Sequence, residues 1–140
     1  MSDGLRARWD ALDEDVRATV TEAIRTAVVA KRSEDPWYSP FSSPPRVEVL
    51  GATTGADGVV RVHFVADHLN YCTAQSGSDW AEHHLFVGDV DLRDGTLAPV
   101  RVEPLGCTNI TERDWDDGYD REPLFAGARE RRLVELASAV

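Results

Sequence analysis

Apolar residues in the first quarter of the chain recur at steps of three and four, which is the repeat of one face of an α-helix. Asp13, followed by Glu14 and Asp15, has the composition of a helix N-cap and first turn. The pattern therefore predicts either one long amphipathic helix or two helices that meet at Asp13, ending before Pro36. The apolar stripe consists of Leu5, Trp9, Leu12, Val16, Val20, Ile24, Ala27 and Val28.

The middle of the chain alternates apolar and polar residues, the period of a half-buried β-strand. We predict four antiparallel strands at about 46–50, 59–67, 81–92 and 97–103. Asp57-Gly58 marks a turn, and Asp94-Gly95 predicts a type I′ hairpin because that turn needs positive φ at both central positions. Pro99 is expected to put the fourth strand at a sheet edge, since proline lacks a backbone donor.

The helical period returns near the C-terminus, with Pro123 suited to a first helical turn. Its stripe contains Phe125, Ala128, Leu133, Leu136, Ala137 and Val140. The order α–β–β–β–β–α predicts one α+β domain over residues 1–140. A long N-terminal amphipathic helix packs on a four-stranded antiparallel sheet, a C-terminal helix follows, and the helices cover one face. This layout resembles cystatin-type helix-on-sheet folds in architecture, and the resemblance implies no site residue and no function.

Four prolines make residues 36–45 an extended connector between the first helix and the sheet. Its aromatic residues are Trp37, Tyr38 and Phe41. They either pack over one end of the core or form an exposed motif for an aromatic-lined groove. Prolines 36, 40 and 44 are four residues apart, whereas such grooves recognise PxxP, so core packing is favoured.

Two long loops, 68–80 and 104–121, are expected to converge at one end of a simple antiparallel meander. Long loops that combine aromatic and polar residues are frequent binding surfaces. The residues we assign to this surface are Tyr71, Trp80, Asp114, Trp115, Asp116, Asp117, Tyr119 and Asp120.

The net charge of the chain limits the classes of partner that such a surface can bind. The 140 residues include 25 acidic and 15 basic side chains, for a formal net charge of −10. This excess argues against binding a nucleic-acid backbone or an anionic membrane, both of which attract basic patches. No apolar run is long enough to span a membrane and the N-terminus has no signal-peptide core, so we expect a cytoplasmic protein.

Five acids lie between Glu112 and Asp120, in a run that fails the EF-hand register. Such a run is a solvated acidic loop, a docking patch for a basic partner or a cation site of another kind. A solvated loop is the commonest role of such a charge run, and the aromatic residues Trp115 and Tyr119 within it strengthen the docking interpretation.

Cys72 and Cys107 allow three interpretations. They are small buried apolar residues, a disulfide between the two loops, or a nucleophile or metal ligand. A reducing cytoplasm disfavours the disulfide, and the absence of a CxxC pair disfavours redox or zinc chemistry.

The histidines define an alternative site. If the second and third strands are neighbours, His63 faces His83 or His84. With Asp67 or Glu82, these histidines offer a metal site or an acid–base pair, although structural or surface roles are commoner for histidine. No established metal, cofactor or nucleophile motif is present, so we assign neither a cofactor nor a metal.

Three functions remain open. The first is a module that binds a protein or peptide, such as an inhibitor, immunity protein, adaptor or chaperone, through loops 68–80 and 104–121. The second is a small-molecule-binding protein or small enzyme with a pocket between helix and sheet. That pocket is lined by His63, Asp67, Tyr71, His83 and His84. The third is a subunit that oligomerises through the sheet or the first helix.

Overall fold

A computed structural model describes residues 2–40, 42–73, 77 and 79–138, with side chains from residue 4 onward. Phe41, residues 74–76, Ser78 and Val140 lie outside this part. In chain order the elements are α1 Ser2–Asp10, α2 Glu14–Ser33, β1 Arg46–Thr54, β2 Val60–Thr73, β3 Asp79–Arg93, β4 Thr96–Leu97, β5 Arg101–Thr111, α3 Glu112–Asp116 and α4 Glu122–Ser138.

The strands form one antiparallel sheet in which β2 pairs with β1 on one side and with β3 on the other. The short β4 and the longer β5 both pair with the free side of β3, so the predicted fourth strand is split and extended. Pro99 lies in the break between them. Asp94 and Gly95 have φ values of 51° and 79°, as the predicted type I′ turn requires. The α+β class predicted from the pattern is confirmed.

The N-terminal apolar stripe forms two helices, the second of the two predicted alternatives. Asp13 occupies the N-cap position of α2, although its side chain makes no capping hydrogen bond. Both helices pack on one face of the sheet, where Trp9, Ile24 and Val28 join Phe64 and other buried strand residues. We call this the α2 face.

The C-terminal helix lies on the other face of the sheet. Phe125 and Ala128 of α4 pack with Leu50, Val65 and Val87 of three different strands. The expectation that all helices share one face is therefore wrong. Val65 and Val87 point away from the α2 core, so the sheet has a second apolar patch that needs its own cover. We call this the α4 face.

The segments 68–80 and 104–121, which we expected to be long loops, contain strand at 68–73, 79–80 and 104–111 and the helix α3 at 112–116. β2 continues to Thr73, β3 begins at Asp79, and β5 continues to Thr111. Asn70, Tyr71 and Cys72 pair in register with Glu82, Ala81 and Trp80. The sheet therefore extends into both segments, and residues within it have alternating faces that a loop would not give them.

Candidate functional site

Four aromatic side chains gather where β2 leads into β3 and where β5 ends. Trp37 and Trp80 contact each other edge to face, with ring centroids 5.1 Å apart. Tyr71 and Trp115 form a second edge-to-face pair at 6.1 Å. Trp37, Tyr71 and Trp115 are 52%, 44% and 38% exposed. We call this group the aromatic end of the sheet.

The two pairs occupy opposite faces because residues on a strand alternate. Tyr71 and the neighbouring Cys72 point to different faces, and Trp80 lies opposite Cys72 in the register. Trp37 reaches this end through the connector, where the Asn70 amide donates to the Trp37 carbonyl oxygen at 2.8 Å. Asn70 is fully buried. It also accepts from the Ser39 backbone N–H at 2.8 Å, so one side chain fixes the connector.

Acidic groups lie beside Tyr71 at the aromatic end. The Tyr71 hydroxyl donates to Asp79 at 3.2 Å. Loss of solvent around the phenol raises the pKa of Tyr71, and the charges of Asp79, Glu112 and Asp116 raise it further. Asp114, Asp116, Asp117 and Asp120 are all exposed. Tyr71, Trp80 and Trp115 therefore lie at one end of the sheet with Glu112 and Asp116. Asp120 lies further along, between Tyr119 and Arg121, which contact His83 and Asp67.

The short helix α3 explains how Trp115 is held there. The Thr111 hydroxyl, at the end of β5, accepts from the Asp114 backbone N–H at 3.1 Å and caps α3. Thr111 itself pairs with Trp80 in the sheet. The cap therefore starts α3 directly beside the aromatic end.

Tyr119, the remaining predicted binding residue, faces inward. Its hydroxyl hydrogen-bonds His83 Nδ1 at 2.8 Å, and His83 Nε2 hydrogen-bonds Asp67 at 2.8 Å. His83 and Asp67 are completely buried. Tyr119 is therefore an anchor for the segment before α4, whereas we had assigned it to the binding surface.

Two arginines complete the environment of Asp67. Arg121 donates twice, at 3.0 and 2.6 Å, and Arg46 donates twice, at 3.2 and 3.1 Å. Burial alone would raise the pKa of Asp67, but the donors His83, Arg121 and Arg46 outweigh it and lower the pKa to about 2. A carboxylate accepts roughly four hydrogen bonds. Asp67 therefore has no accepting capacity left for a substrate, and the network serves to fix α4 on the sheet.

The alternative pocket is not assembled. His63 pairs with Asp89 in the sheet, six residues along β3 from His83, and its ring contacts Thr53 at 3.0 Å. His84 points to the α2 face, opposite to its neighbour His83. Of the five residues predicted to line that pocket, only His83 and Asp67 touch each other, while Tyr71 belongs to the aromatic end.

A second polar cluster lies on the α2 face, under the end of α2. Arg32 is buried, and its Nε donates to His68 Nδ1 at 3.2 Å while Nη1 donates to Asp35 at 3.0 Å. Burial and the Arg32 charge lower the pKa of His68 to about 4, so its imidazole is neutral. The second terminal nitrogen of Arg32, Nη2, is buried without a hydrogen-bond partner among the described residues.

Three groups with metal-ligating atoms meet next to this cluster. His84 Nε2 lies 3.1 Å from Glu82 Oε1 and 3.6 Å from Cys107 Sγ. The donor atoms of Glu82, His84 and Cys107 all lie within 4.8 Å of one another. Glu82 and His84 are largely buried, at 15% and 14% exposure, whereas Cys107 is exposed.

The cysteines are therefore not equivalent. Cys72 is buried and receives a hydrogen bond from the Asn70 amide at 3.0 Å, whereas Cys107 stands beside His84 on the edge strand. Both are free thiols, so the disulfide alternative is wrong for this structure. The buried apolar interpretation holds for Cys72 and fails for Cys107.

Several of these residues escaped the sequence analysis. From the sequence we assigned no role in a site to Arg32, Arg46 or Arg121, and we favoured core packing for Trp37. The alternation along 80–84 is a signal that would place Trp80, Glu82 and His84 on one face. Only the pairing of β3 with β5 could add Cys107.

Comparison with known proteins identifies no relative. No protein-family model matches the chain, and neither the curated proteins nor the solved structures include a similar one. Among the described helices, none is both long enough and apolar enough to cross a membrane. Any functional conclusion must therefore come from the geometry.

Proposed function

We propose that this protein is a binding module of the inhibitor, adaptor or chaperone kind, and that it recognises a basic segment of another protein at the aromatic end of the sheet. The observation that carries this proposal is the exposure of Trp37, Tyr71 and Trp115 in two aromatic pairs, with Asp79, Glu112 and Asp116 beside Tyr71.

An exposed aromatic side chain keeps a large apolar surface in water, and a binding partner that covers this surface gains the free energy of its burial. Tryptophan and tyrosine are also the residues that most often dominate the energy of protein interfaces. Edge-to-face pairing holds each ring in a defined position before a partner arrives, which reduces the entropy lost on binding.

The charge supports a basic partner. Four acids, Glu112, Asp114, Asp116 and Asp117, lie within three residues of Trp115 in the chain, and the formal net charge of the whole chain is −10. Two arginines, Arg113 and Arg121, lie within the acidic run 112–120 or directly after it. Arg121 is paired with Asp67, so Arg113 is the one of the two that offsets the acidic charge near Trp115. Lysine and arginine side chains can pair with the carboxylates while their stems, or the guanidinium plane, lie against the aromatic rings.

The same charge disfavours a nucleic acid or an anionic membrane as the partner. We further propose that the protein acts in the cytoplasm, where Cys72 and Cys107 stay reduced. Their free thiols are compatible with that compartment.

A peptide array tests the proposal. Arrayed peptides rich in lysine and arginine, with acidic and neutral scrambles of the same length, are probed with the labelled protein. We expect binding to the basic set only, weakening steeply with salt. Tyr71→Ala and Trp115→Ala should each weaken the best peptide by about 30-fold, the loss typical of an interface hot spot.

Matched charge variants separate this surface from general acidity. The first triple variant combines Asp114→Asn, Asp116→Asn and Asp117→Asn. It should bind the best peptide more weakly, and its affinity should change less with salt. The control removes three exposed acids elsewhere, Asp13→Asn, Asp57→Asn and Asp94→Asn. Equal loss in both triple variants, or no change in Trp115→Ala, would overturn the proposal.

A further inference from the structure

Hydrogen bonding accounts for only one of the two contacts at the His84 ring nitrogen that faces Glu82 and Cys107. Glu82 Oε1 and Cys107 Sγ both approach the same ring nitrogen, His84 Nε2. A neutral imidazole carries at most one hydrogen on that nitrogen, so it cannot donate well to both groups. Without the hydrogen, the nitrogen lone pair faces a carboxylate. A cation between the three atoms would satisfy all of them.

Two of the three ligand separations are close to those around a tetrahedral ion. Zinc binds histidine nitrogen at about 2.0–2.1 Å and thiolate sulfur at about 2.3 Å, which at the tetrahedral angle separates the two ligand atoms by about 3.5 Å. The observed Nε2–Sγ separation is 3.6 Å. For nitrogen and carboxylate oxygen the same reasoning gives about 3.4 Å, against 3.1 Å observed. The third pair, the Glu82 carboxylate and Cys107 Sγ, lies within 4.8 Å, so these two side chains would close towards each other as the ion binds.

The scaffold holds the three ligands without help from the ion. Glu82 and His84 are two residues apart on β3 and therefore share the α2 face, and Cys107 is the direct partner of His84 on β5. His84 also stacks against Phe86, at 16° between the ring planes. Strand pairing fixes all three backbones, and the exposed side of Cys107 provides the entry path.

The charges also suit a divalent ion. The Glu82 carboxylate and the Cys107 thiolate together carry two negative charges. The nearby Arg32 is paired with Asp35 at 3.0 Å, so its charge is balanced locally. When the ion binds, Cys107 releases its thiol proton to water and the sulfur forms a bond to the metal.

We propose that Glu82, His84 and Cys107 form a binding site for a divalent transition ion of the zinc type. Three protein ligands leave the fourth tetrahedral position to water or to a ligand group. That arrangement is typical of zinc sites that act on a substrate, whereas structural sites close the shell with four protein ligands. The site is separate from the proposed peptide-binding function and does not rest on it.

Cobalt is the probe that tests the site, because Co²⁺ accepts the same ligands and is coloured. The purified protein is freed of metal with a chelator and titrated with Co²⁺ alone. We expect saturation at one equivalent, with thiolate-to-metal charge-transfer absorption and the intense visible bands of tetrahedral cobalt. Added Zn²⁺ should displace the cobalt and bleach both features.

Substitutions then assign the ligands. Cys107→Ser should abolish the charge-transfer band and weaken binding at least tenfold, since even the loss of an outer partner of a metal ligand costs about 10- to 100-fold. Cys107 is exposed, so this variant keeps the fold and decides the question even where His84→Ala or Glu82→Gln unfolds. Cys72→Ser, at the other cysteine, is the matched control and should leave the spectrum unchanged.

Three outcomes would overturn the site. The first is titration without saturation near one equivalent. The second is that the Cys107→Ser variant binds Co²⁺ as tightly as the wild type, which would mean that surface carboxylates hold the ion. The third is loss of the charge-transfer band in Cys72→Ser while Cys107→Ser retains it.

Discussion

Replacing Asp67 by asparagine tests whether the buried ionic network holds α4 on the sheet. Asp67 is completely buried and accepts from His83, Arg46 and Arg121. Asparagine keeps one oxygen, but its amide hydrogens would point at donors. The two guanidinium groups would also lose their shared counter-charge, and Arg121 is the residue that leads into α4.

The magnitude follows from the burial. Removing one partner of a buried ion pair typically costs about 3–5 kcal/mol. The arginine side chains remain partly exposed, at 32% for Arg46 and 24% for Arg121, so water can solvate some of the abandoned charge. We therefore expect the lower end, about 3 kcal/mol of unfolding free energy. The pKa of Asp67, lowered from 3.8 to about 2, corresponds to about 2 kcal/mol, which is the same order.

Asp91→Asn is the matched control. Hydrogen bonds from Arg61 and then Arg101 also lower the pKa of Asp91 to about 2. Asp91 is 21% exposed, however, and Arg61 and Arg101 are 49% and 50% exposed. Exposed ion pairs contribute about 0–1 kcal/mol, so Asp91→Asn should cost less than about 1 kcal/mol.

Urea unfolding at pH 7, followed by tryptophan fluorescence and far-UV circular dichroism, measures both variants. Asp67→Asn should lower the midpoint without changing the slope. Because the folded pKa of Asp67 lies below the unfolded one, its contribution is present above pH 4 and is lost as the pH falls from about 4 to about 2. The difference between wild type and variant should shrink over that window. Equal costs for the two variants, or a difference unaffected by acid, would refute the reasoning.

Three further predictions use the same urea assay. Gly88→Ala should cost about 3 kcal/mol, because the added Cβ would meet the Arg101 carbonyl oxygen and the Phe64 ring; a neutral result would contradict that packing. Gly127→Ala, at an open position in α4, should instead stabilise by about 0.5–1 kcal/mol, and destabilisation would show an unseen contact. Burial lowers the pKa of His63 to about 4 from 6.5, so its neutral form stabilises the fold above pH 6.5 and that stability falls towards pH 4. The free energy of unfolding lost between pH 7 and pH 4.5 should be about 2 kcal/mol smaller in His63→Leu than in the wild type. If both lose the same amount, other titrating groups cause that pH dependence.

Part of the aromatic end could be predicted from the pattern of the sequence. The order of strands and the Asp94-Gly95 turn were enough to predict that the β2–β3 connection and the end of β5 lie together. The same reasoning assigned loops where strands continue, because Asn70, Tyr71 and Cys72 do not alternate in polarity. Their burial alternates nevertheless, since the connector covers Asn70 and Cys72 while Tyr71 faces solvent.

The sequence by itself determined the class of fold, since periods of 3.6 and 2 and the turn residues are local properties of the chain. Tertiary structure alone decided which polar residues meet. Asp67 is joined to Arg46 and Arg121, which are 21 and 54 residues away in the chain. His84 and Cys107 are 23 residues apart and become neighbours only through the β3–β5 register. A one-residue slip of that register would turn Cys107 to the opposite face, because side chains alternate along a strand.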